Sequence, residues 1–246
     1  MTSSRLETGS SGQEWLPPND PPTRLQTTVG DVPLYEYHAP LAGRAYRILH
    51  TGAVLTFEDE QHLLSERETR LPYGLALWPA AIALAHEIAA RGDEMRGRRI
   101  LELGAGTGLP GIVAASLGSS VVQTDRQQAA LHLCRVNAER NGVQGVEHRL
   151  VDWAAWTDDT RYDWIIGSDI LYAAAMHPYL TRIVESNLAS GGRVLFADPF
   201  RRASMALLES LESAGWRVAL SKWSVGENDE QAPVGIYELS IPPQRL

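Results

Sequence analysis

Cysteine is almost absent from this chain: Cys134 is the only one in 246 residues. An intrachain disulfide is therefore excluded, and a reducing, cytoplasmic setting is expected. Long apolar runs are missing too. No stretch approaches the ~18–20 residues that a membrane span requires, and residues 1–30 lack the apolar centre of a secretory signal. Positive charge is in deficit, with 22 Lys and Arg against 30 Asp and Glu and a formal net charge of -8. That balance argues against a nucleic-acid partner, because neutralising phosphates takes clustered Lys and Arg. The histidines (His38, His50, His62, His86, His132, His148 and His177) fall at no metal-ligand spacing with one another or with Cys134, so no metal is expected. A G-x-S-x-G elbow and a P-loop lysine are also lacking, which leaves hydrolase and NTPase readings without their reacting groups.

What is present suits one large α/β domain that needs no covalent staple, since 44% of residues are hydrophobic and 21% charged. Residues 1–30, rich in Ser, Thr, Gly and Pro, read as a flexible tail. Residues 31–72 read as a small N-terminal β extension, with PLYEYHAP, RAYRILH and AVLTF as short strands. From residue 73 to 246 strands and helices alternate. A helix is expected over Trp78–Arg91, a strand over Arg99–Leu103, a helix over Leu109–Leu117, a strand over Ser120–Thr124 and a helix from Arg126 to Asn141. Strands at Val146–Val151, Tyr162–Ser168 and Arg193–Ala197 follow, the last after a Ser190-Gly191-Gly192 turn. Helices at His177–Asn187 and Ala203–Ala214 lie among them, and Trp216–Ser221 and Gly235–Ile241 close the chain. Such alternation implies a doubly wound, mostly parallel sheet covered on both faces.

The most informative stretch runs from Arg99 through Gly108, RILELGAGTG. A buried strand leads straight into Gly104, Gly106 and Gly108, and a helix follows. Without Cβ atoms such a turn admits ligand atoms close to the backbone. In an open parallel sheet it lies at the crevice where strand order reverses. The spacing is GxGxG and not the GxGxxG of a dinucleotide site, and Glu102 would repel a phosphate. A phosphate-free ligand carrying an ammonium and a sulfonium would instead favour an acidic neighbour. Asp125 ends the next strand, roughly 20 residues on, where a carboxylate can accept from both ribose hydroxyls. Its alternative role is to cap the following helix. Asp152 and Trp153 close the third strand at the same edge, placed to meet an adenine amino group and base face. The alternative is that Asp152 caps the next turn and Trp153 fills space.

The run LELGAGTGLPG, then VVQTD, VDW and SDILY, resembles the seven-β-strand, class I S-adenosylmethionine-dependent methyltransferases, and within them the protein lysine methyltransferases and their nicotinamide N-methylase-like relatives. The resemblance covers roughly residues 71–241. It implies a Rossmann-like seven-strand sheet whose last strand is antiparallel, with S-adenosylmethionine as cofactor. By resemblance Glu102, Gly104, Gly106 and Gly108 line the methionine and ribose side, Asp125 holds the ribose, Asp152 and Trp153 flank the adenine, and Trp78 covers the pocket. In that family an acidic residue or glycine more often follows the tryptophan; here Pro79 and Ala80 do. Ser168, ending the fourth strand, is counted with the cofactor residues. Asp169 and Tyr172, from the D-x-x-Y segment, are the catalytic candidates: Asp169 to orient the substrate amine, Tyr172 to shape its pocket. The alternative is that Asp169 caps the following helix and Tyr172 packs as core. Asp198-Pro199-Phe200-Arg201 reads as a rim turn carrying a solvated arginine, the alternative being contact with the substrate.

The function expected is transfer of a methyl group to a protein lysine by a monomeric enzyme. Two alternatives stand beside it: a small-molecule amine or heterocycle N-methyltransferase, and a cofactor-binding module without turnover.

Overall fold

The computed structural model describes residues 3–5, 24–27, 30–52, 73–226 and 231–242. Its strands are β1 (Ser3–Arg5), β2 (Arg24–Thr27), β3 (Gly30–Pro33), β4 (Tyr35–Leu41), β5 (Arg44–His50), β6 (Arg99–Leu103), β7 (Ser120–Asp125), β8 (Glu147–Leu150), β9 (Tyr162–Ser168), β10 (Leu188–Asp198), β11 (Arg217–Val225) and β12 (Ala232–Ser240). The helices are α1 (Pro79–Ala90), the single turn α2 (Gly92–Met95), α3 (Leu109–Ser116), α4 (Gln128–Arg140), α5 (His177–Asn187) and α6 (Arg202–Ser213).

Seven strands, in the order β11-β12-β10-β9-β6-β7-β8, make the main sheet. Neighbours are parallel except that β12 runs antiparallel to both β10 and β11. The last strand is thus the reversed one, as the resemblance implies. Side chains alternate along each strand and fill two cores. Ile100, Ile166, Leu195 and Ile236 pack with Ile82, Leu84, Ile88 of α1 and Ile112 of α3 on one face. Leu101, Ile165, Val194 and Phe196 pack with Leu180 and Ile183 of α5 and Leu207 and Leu211 of α6 on the other. A strand buried on both faces must be apolar at consecutive positions, which is why RILEL and WIIG carry so few polar residues. Helix α1 is buried at every position from Pro79 to Ala85.

Two antiparallel hairpins, β2–β3 and β4–β5, precede the sheet. Tyr37, Ala39, Tyr46 and Ile48 join the α1/α3 core, while Leu25, Leu34 and Leu49 pack with Ala130 and Leu133 of α4. The expected strand AVLTF lies outside the described residues.

Within residues 1–30, expected as a tail, two short stretches are strands. Ser3–Arg5 adds an eighth strand to the sheet, parallel to β11 with Ser3 opposite Lys222. Arg24–Thr27 pairs with Gly30–Pro33. An exposed edge such as β11 offers unpaired backbone groups to any nearby chain, and Leu25, buried to 5% exposure, anchors β2. The composition of the segment hides both causes. Strand β10 is also longer than expected. It begins at Leu188, opposite Tyr162, and resumes register at Arg193 opposite Trp164, so Ser190-Gly191-Gly192 forms a bulge within the strand and not a turn before it. No helix among the described residues is long and apolar enough to cross a membrane.

Candidate active site

Strands β6 to β10 end at one rim of the sheet, and a cleft of about 420 Å³ opens there, within the ~300–1,000 Å³ span of small-molecule sites. Each strand contributes a wall: the glycine turn after β6, Asp125 from β7, Asp152 and Trp153 after β8, Ser168 and Asp169 from β9, and Arg201 after β10. Trp78 and Ala81 close it from the start of α1, and Tyr172 and Met176 stand at the side of β9.

The glycine turn has room for no side chain. A Cβ on Gly104 would lie 2.7 Å from Ile170 Cγ2, with Trp153 Cζ2 at 3.5 Å. Gly106 adopts a left-handed φ of 55° and would push a Cβ to 3.1 Å from the Gly74 carbonyl oxygen. Its amide donates to Asp125 Oδ2 at 3.2 Å, and the Gln127 amide donates to Asp125 Oδ1 at 2.8 Å. Asp125 is therefore locked between the loop and the start of α4. Burial pushes its carboxyl pKa up, against these backbone bonds.

Glu102 points away from the cleft. It is 1% exposed, and its Oε2 accepts from Gln123 Nε2 at 2.7 Å. The same amide nitrogen donates to the Gly108 carbonyl at 2.9 Å. Burial raises the Glu102 pKa to about 8, so near neutral pH it holds its proton. A Cβ on Gly111 would collide with Glu102 Oε2, so α3 sits directly on this carboxyl.

At the ends of β9 and β10 three charges meet. Asp169 has a left-handed φ of 54°, and its amide donates to the Ala197 carbonyl at 2.9 Å, extending the strand pairing by one residue. Its carboxylate is 8% exposed and ion-paired with Arg201. Asp198, fully buried, accepts from the Arg201 amide through Oδ1 at 2.8 Å, with its Oδ2 3.4 Å from Arg201 Nη1. Tyr172, by contrast, is 60% exposed at the cleft mouth.

The sequence pattern of a family described as lysine methyltransferase matches residues 57–213. The chain belongs to this lysine methyltransferase family. Among curated relatives it is similar to the protein N-lysine methyltransferase METTL21A of Danio rerio, at 34% identity over 156 residues, 61% of this chain and 71% of that protein. It is also similar to the histone-arginine methyltransferase METTL23 of Mus musculus, at 29% over 170 residues, 64% of this chain and 62% of that protein. The chain spans 64% and 62% of the METTL21A proteins of Xenopus tropicalis and Mus musculus. Among solved structures, the T. thermophilus 16S rRNA N2 G1207 methyltransferase, in complex with AdoMet and guanosine, superposes with a TM-score of 0.57 at 18% identity, covering 85% of this chain and 51% of that one. The N-methyltransferase NodS of Bradyrhizobium japonicum, in complex with S-adenosyl-l-homocysteine, gives 0.50 at 13%, covering 67% and 100%. At such identities these structures speak for the fold alone.

In this lysine methyltransferase family member, Trp78, Gly104, Gly106, Asp125, Asp152, Trp153, Ser168, Asp169 and Tyr172 all line one cleft. Glu102 and Gly108 do not; both lie behind the loop. Gly108 is the N-cap of α3, and a Cβ there would meet Cys134 Sγ at 3.0 Å. Asp152 also caps its own turn, accepting from the Ala154 amide at 2.9 Å. The N-cap of α4 is Gln127 and that of the turn after Tyr172 is Ala173, so neither Asp125 nor Asp169 serves as a helix N-cap. Tyr172 is not core. Arg201, read from sequence as solvated, is instead 23% exposed and part of the wall. Its one signal is its place, three residues after the strand-end Asp198.

Proposed function

We propose that the chain is an S-adenosylmethionine-dependent protein lysine N-methyltransferase, with this cleft as its active site. The observation that carries the reading is the convergence of the glycine turn, Asp125 and Asp169 on one cavity in a chain of this family. The relatives named protein N-lysine methyltransferase METTL21A and EEF1A lysine methyltransferase 3 support the acceptor.

The residues present suit a phosphate-free adenosyl ligand. Gly104 and Gly106 leave their backbone bare to the cleft, where any Cβ would clash. The charged lining side chains are Asp125, Asp152 and Asp169 against Arg126 and Arg201, a balance that suits a cation and opposes a pyrophosphate. Asp125 would hold the ribose hydroxyls, for each of its oxygens has accepting capacity beyond the one backbone bond it takes. Asp152 and Trp153 would flank the adenine, Trp78 would cover the ligand, and Ser168 would border it. Glu102 supports the loop from behind. When bound, the sulfonium supplies an electrophilic methyl carbon that passes in line to an amine nitrogen, the sulfur keeping the bonding pair.

The chain's own residues then have three tasks. Trp78, Trp153 and Tyr172 wall the cleft and limit water. Asp169, fixed by the hydrogen bond from its backbone N–H to the Ala197 carbonyl and by Arg201, steadies the positive charge that develops on the acceptor nitrogen. Tyr172 presents a ring and hydroxyl at the mouth, where a long side chain would enter. The acceptor nitrogen must arrive neutral, its proton having passed to solvent. The same reading has the enzyme acting in the cytoplasm as a monomer, without nucleic acid.

A second acceptor is favoured by the METTL23 relatives, which are named histone-arginine methyltransferases. Incubation with methyl-labelled cofactor and a cell lysate, followed by acid hydrolysis and amino-acid analysis, separates the readings. Label in methyllysine is expected. Label in methylarginine would move the acceptor to arginine, and label confined to the small-molecule fraction would remove the protein substrate.

A further inference from the structure

Arg201 lines the cleft beside Asp169, where the methyltransferase reading brings the acceptor amine. Its guanidinium lies between two carboxylates, ion-paired with Asp169 and 3.4 Å from Asp198. Its backbone is fixed as well, because the Arg201 amide donates to Asp198 Oδ1 at 2.8 Å. Asp198 is fully buried and Arg201 only 23% exposed. Such a pair between an arginine and nearly buried carboxylates differs from a loose surface bridge, which is screened and weak. Both Asp169 and Arg201 face the cleft.

The chemistry sets two opposing demands there. A lysine amine is protonated in water at neutral pH, with an ordinary pKa near 10.4, but only its neutral form has a lone pair to give. A bare Asp169 would attract the ammonium and hold its proton on. A neighbouring guanidinium disfavours the protonated form, and a charge at such range moves a pKa by roughly 1–3 units.

Building on the methyltransferase reading, we propose that Arg201 is a positioning residue that holds Asp169 in place and tunes the acceptor pocket to prefer the neutral amine over the ammonium. Asp198 anchors it from the buried side. Asp169 is then available to the charge that forms on nitrogen during transfer, without trapping the substrate in its unreactive form. Specificity for an amine that has already shed its proton to solvent follows from the pairing.

Calorimetry on the full chain with saturating S-adenosylhomocysteine, using n-butylamine as the side-chain probe at pH 7 and pH 10, tests the proposal without needing the natural substrate. The native protein should bind butylamine at least tenfold more tightly at pH 10. Arg201→Gln should lose most of that rise by binding the ammonium at pH 7, and Arg201→Lys should keep it. Asp169→Asn, which leaves the guanidinium opposed only by the buried Asp198, should weaken binding at pH 7 by at least threefold, and it carries the test if Arg201→Gln does not fold. An equal rise in the native protein and Arg201→Gln, or unchanged binding in Asp169→Asn, overturns the proposal. Failure of the native protein to bind S-adenosylhomocysteine at all would remove the methyltransferase reading itself, and the proposal with it.

Discussion

A carboxyl group cut off from water keeps its proton, and Glu102 is such a group. Its raised pKa of about 8, against an ordinary 4.5, comes first from burial. Between these two values the unfolded chain has released the proton and the folded chain has not. Stability therefore falls as pH rises through that window. Glu102→Gln keeps the shape and the neutral state, so it should match the native protein at pH 5 and exceed it at pH 8 in urea midpoint. Parallel midpoints across that range would mean Glu102 is ionised in the fold. Burial raises Asp125 as well, but backbone amides reach both its oxygens and oppose that shift. Two acidic residues flanking one loop thus divide the labour, one supporting and one facing the ligand. From the sequence they look equivalent, since spacing places each at a strand end but carries no information on which way the side chain turns.

The meeting of α4 with β5 explains how the N-terminal hairpin is tied to the glycine loop. Asn137 Oδ1 accepts from the Leu49 amide at 2.8 Å, and its Nδ2 donates to the Leu49 carbonyl at 3.0 Å and to the Thr107 carbonyl at 2.9 Å. One turn on, Asn141 does the same for Arg47, at 2.9 and 2.8 Å. Residues four apart on a helix rise about 6 Å, and residues two apart on a strand about 6.6 Å. The two amides therefore imitate a neighbouring strand along the edge of β5. Asn137→Ala would strand the buried backbone groups of Leu49 and Thr107, at roughly 1–3 kcal/mol for each group left unpaired. A loss of about 3 kcal/mol is expected from urea unfolding, and a loss below about 1 kcal/mol would show that water or repacking replaces the amide. Little of this was legible beforehand. The strands and helices follow from runs such as RILEL and WIIGS, whose burial on both faces leaves a continuous apolar signature. Asparagines inside a helix carry no such signature, because their partner is a backbone edge distant in sequence. The bulge in β10 is hidden for a related reason: a Gly-Gly pair signals a turn and a bulge alike.

For the molecule as a whole, pH acts through groups in several elements at once. Glu36, 4% exposed on β4, would be raised by burial alone, but Arg47, Arg140 and His38 hold its pKa at about 2. That stability is complete above its unfolded value of 4.5 and is lost as pH falls toward 2. Burial lowers His50 and His86 from 6.5 to about 4, so both add stability as pH climbs from 4 to 6.5. Glu102 subtracts from 4.5 to 8. Burial lowers His148 as well and raises Asp125, so three rising contributions outweigh two falling ones until 6.5, after which only the falls remain. Urea midpoints should peak near pH 6.5, and Glu36→Gln should flatten the acid limb below 4.5. A native midpoint still climbing at pH 8 would contradict this set of protonation states. The reversed last strand is where the resemblance implies it, and nine of the eleven expected site residues line one cleft, since strand ends converge wherever parallel strands do. Arg201 reads from sequence as solvated because the buried Asp198 beneath it is not visible there. The account rests above all on the cleft beside Asp125 being an adenosyl site. Isothermal titration of S-adenosylhomocysteine into the native chain and into Asp125→Ala measures this directly: saturable binding is predicted for the native chain, with affinity at least tenfold lower in the variant. No heat of binding in the native chain, or the same affinity in both, would contradict it.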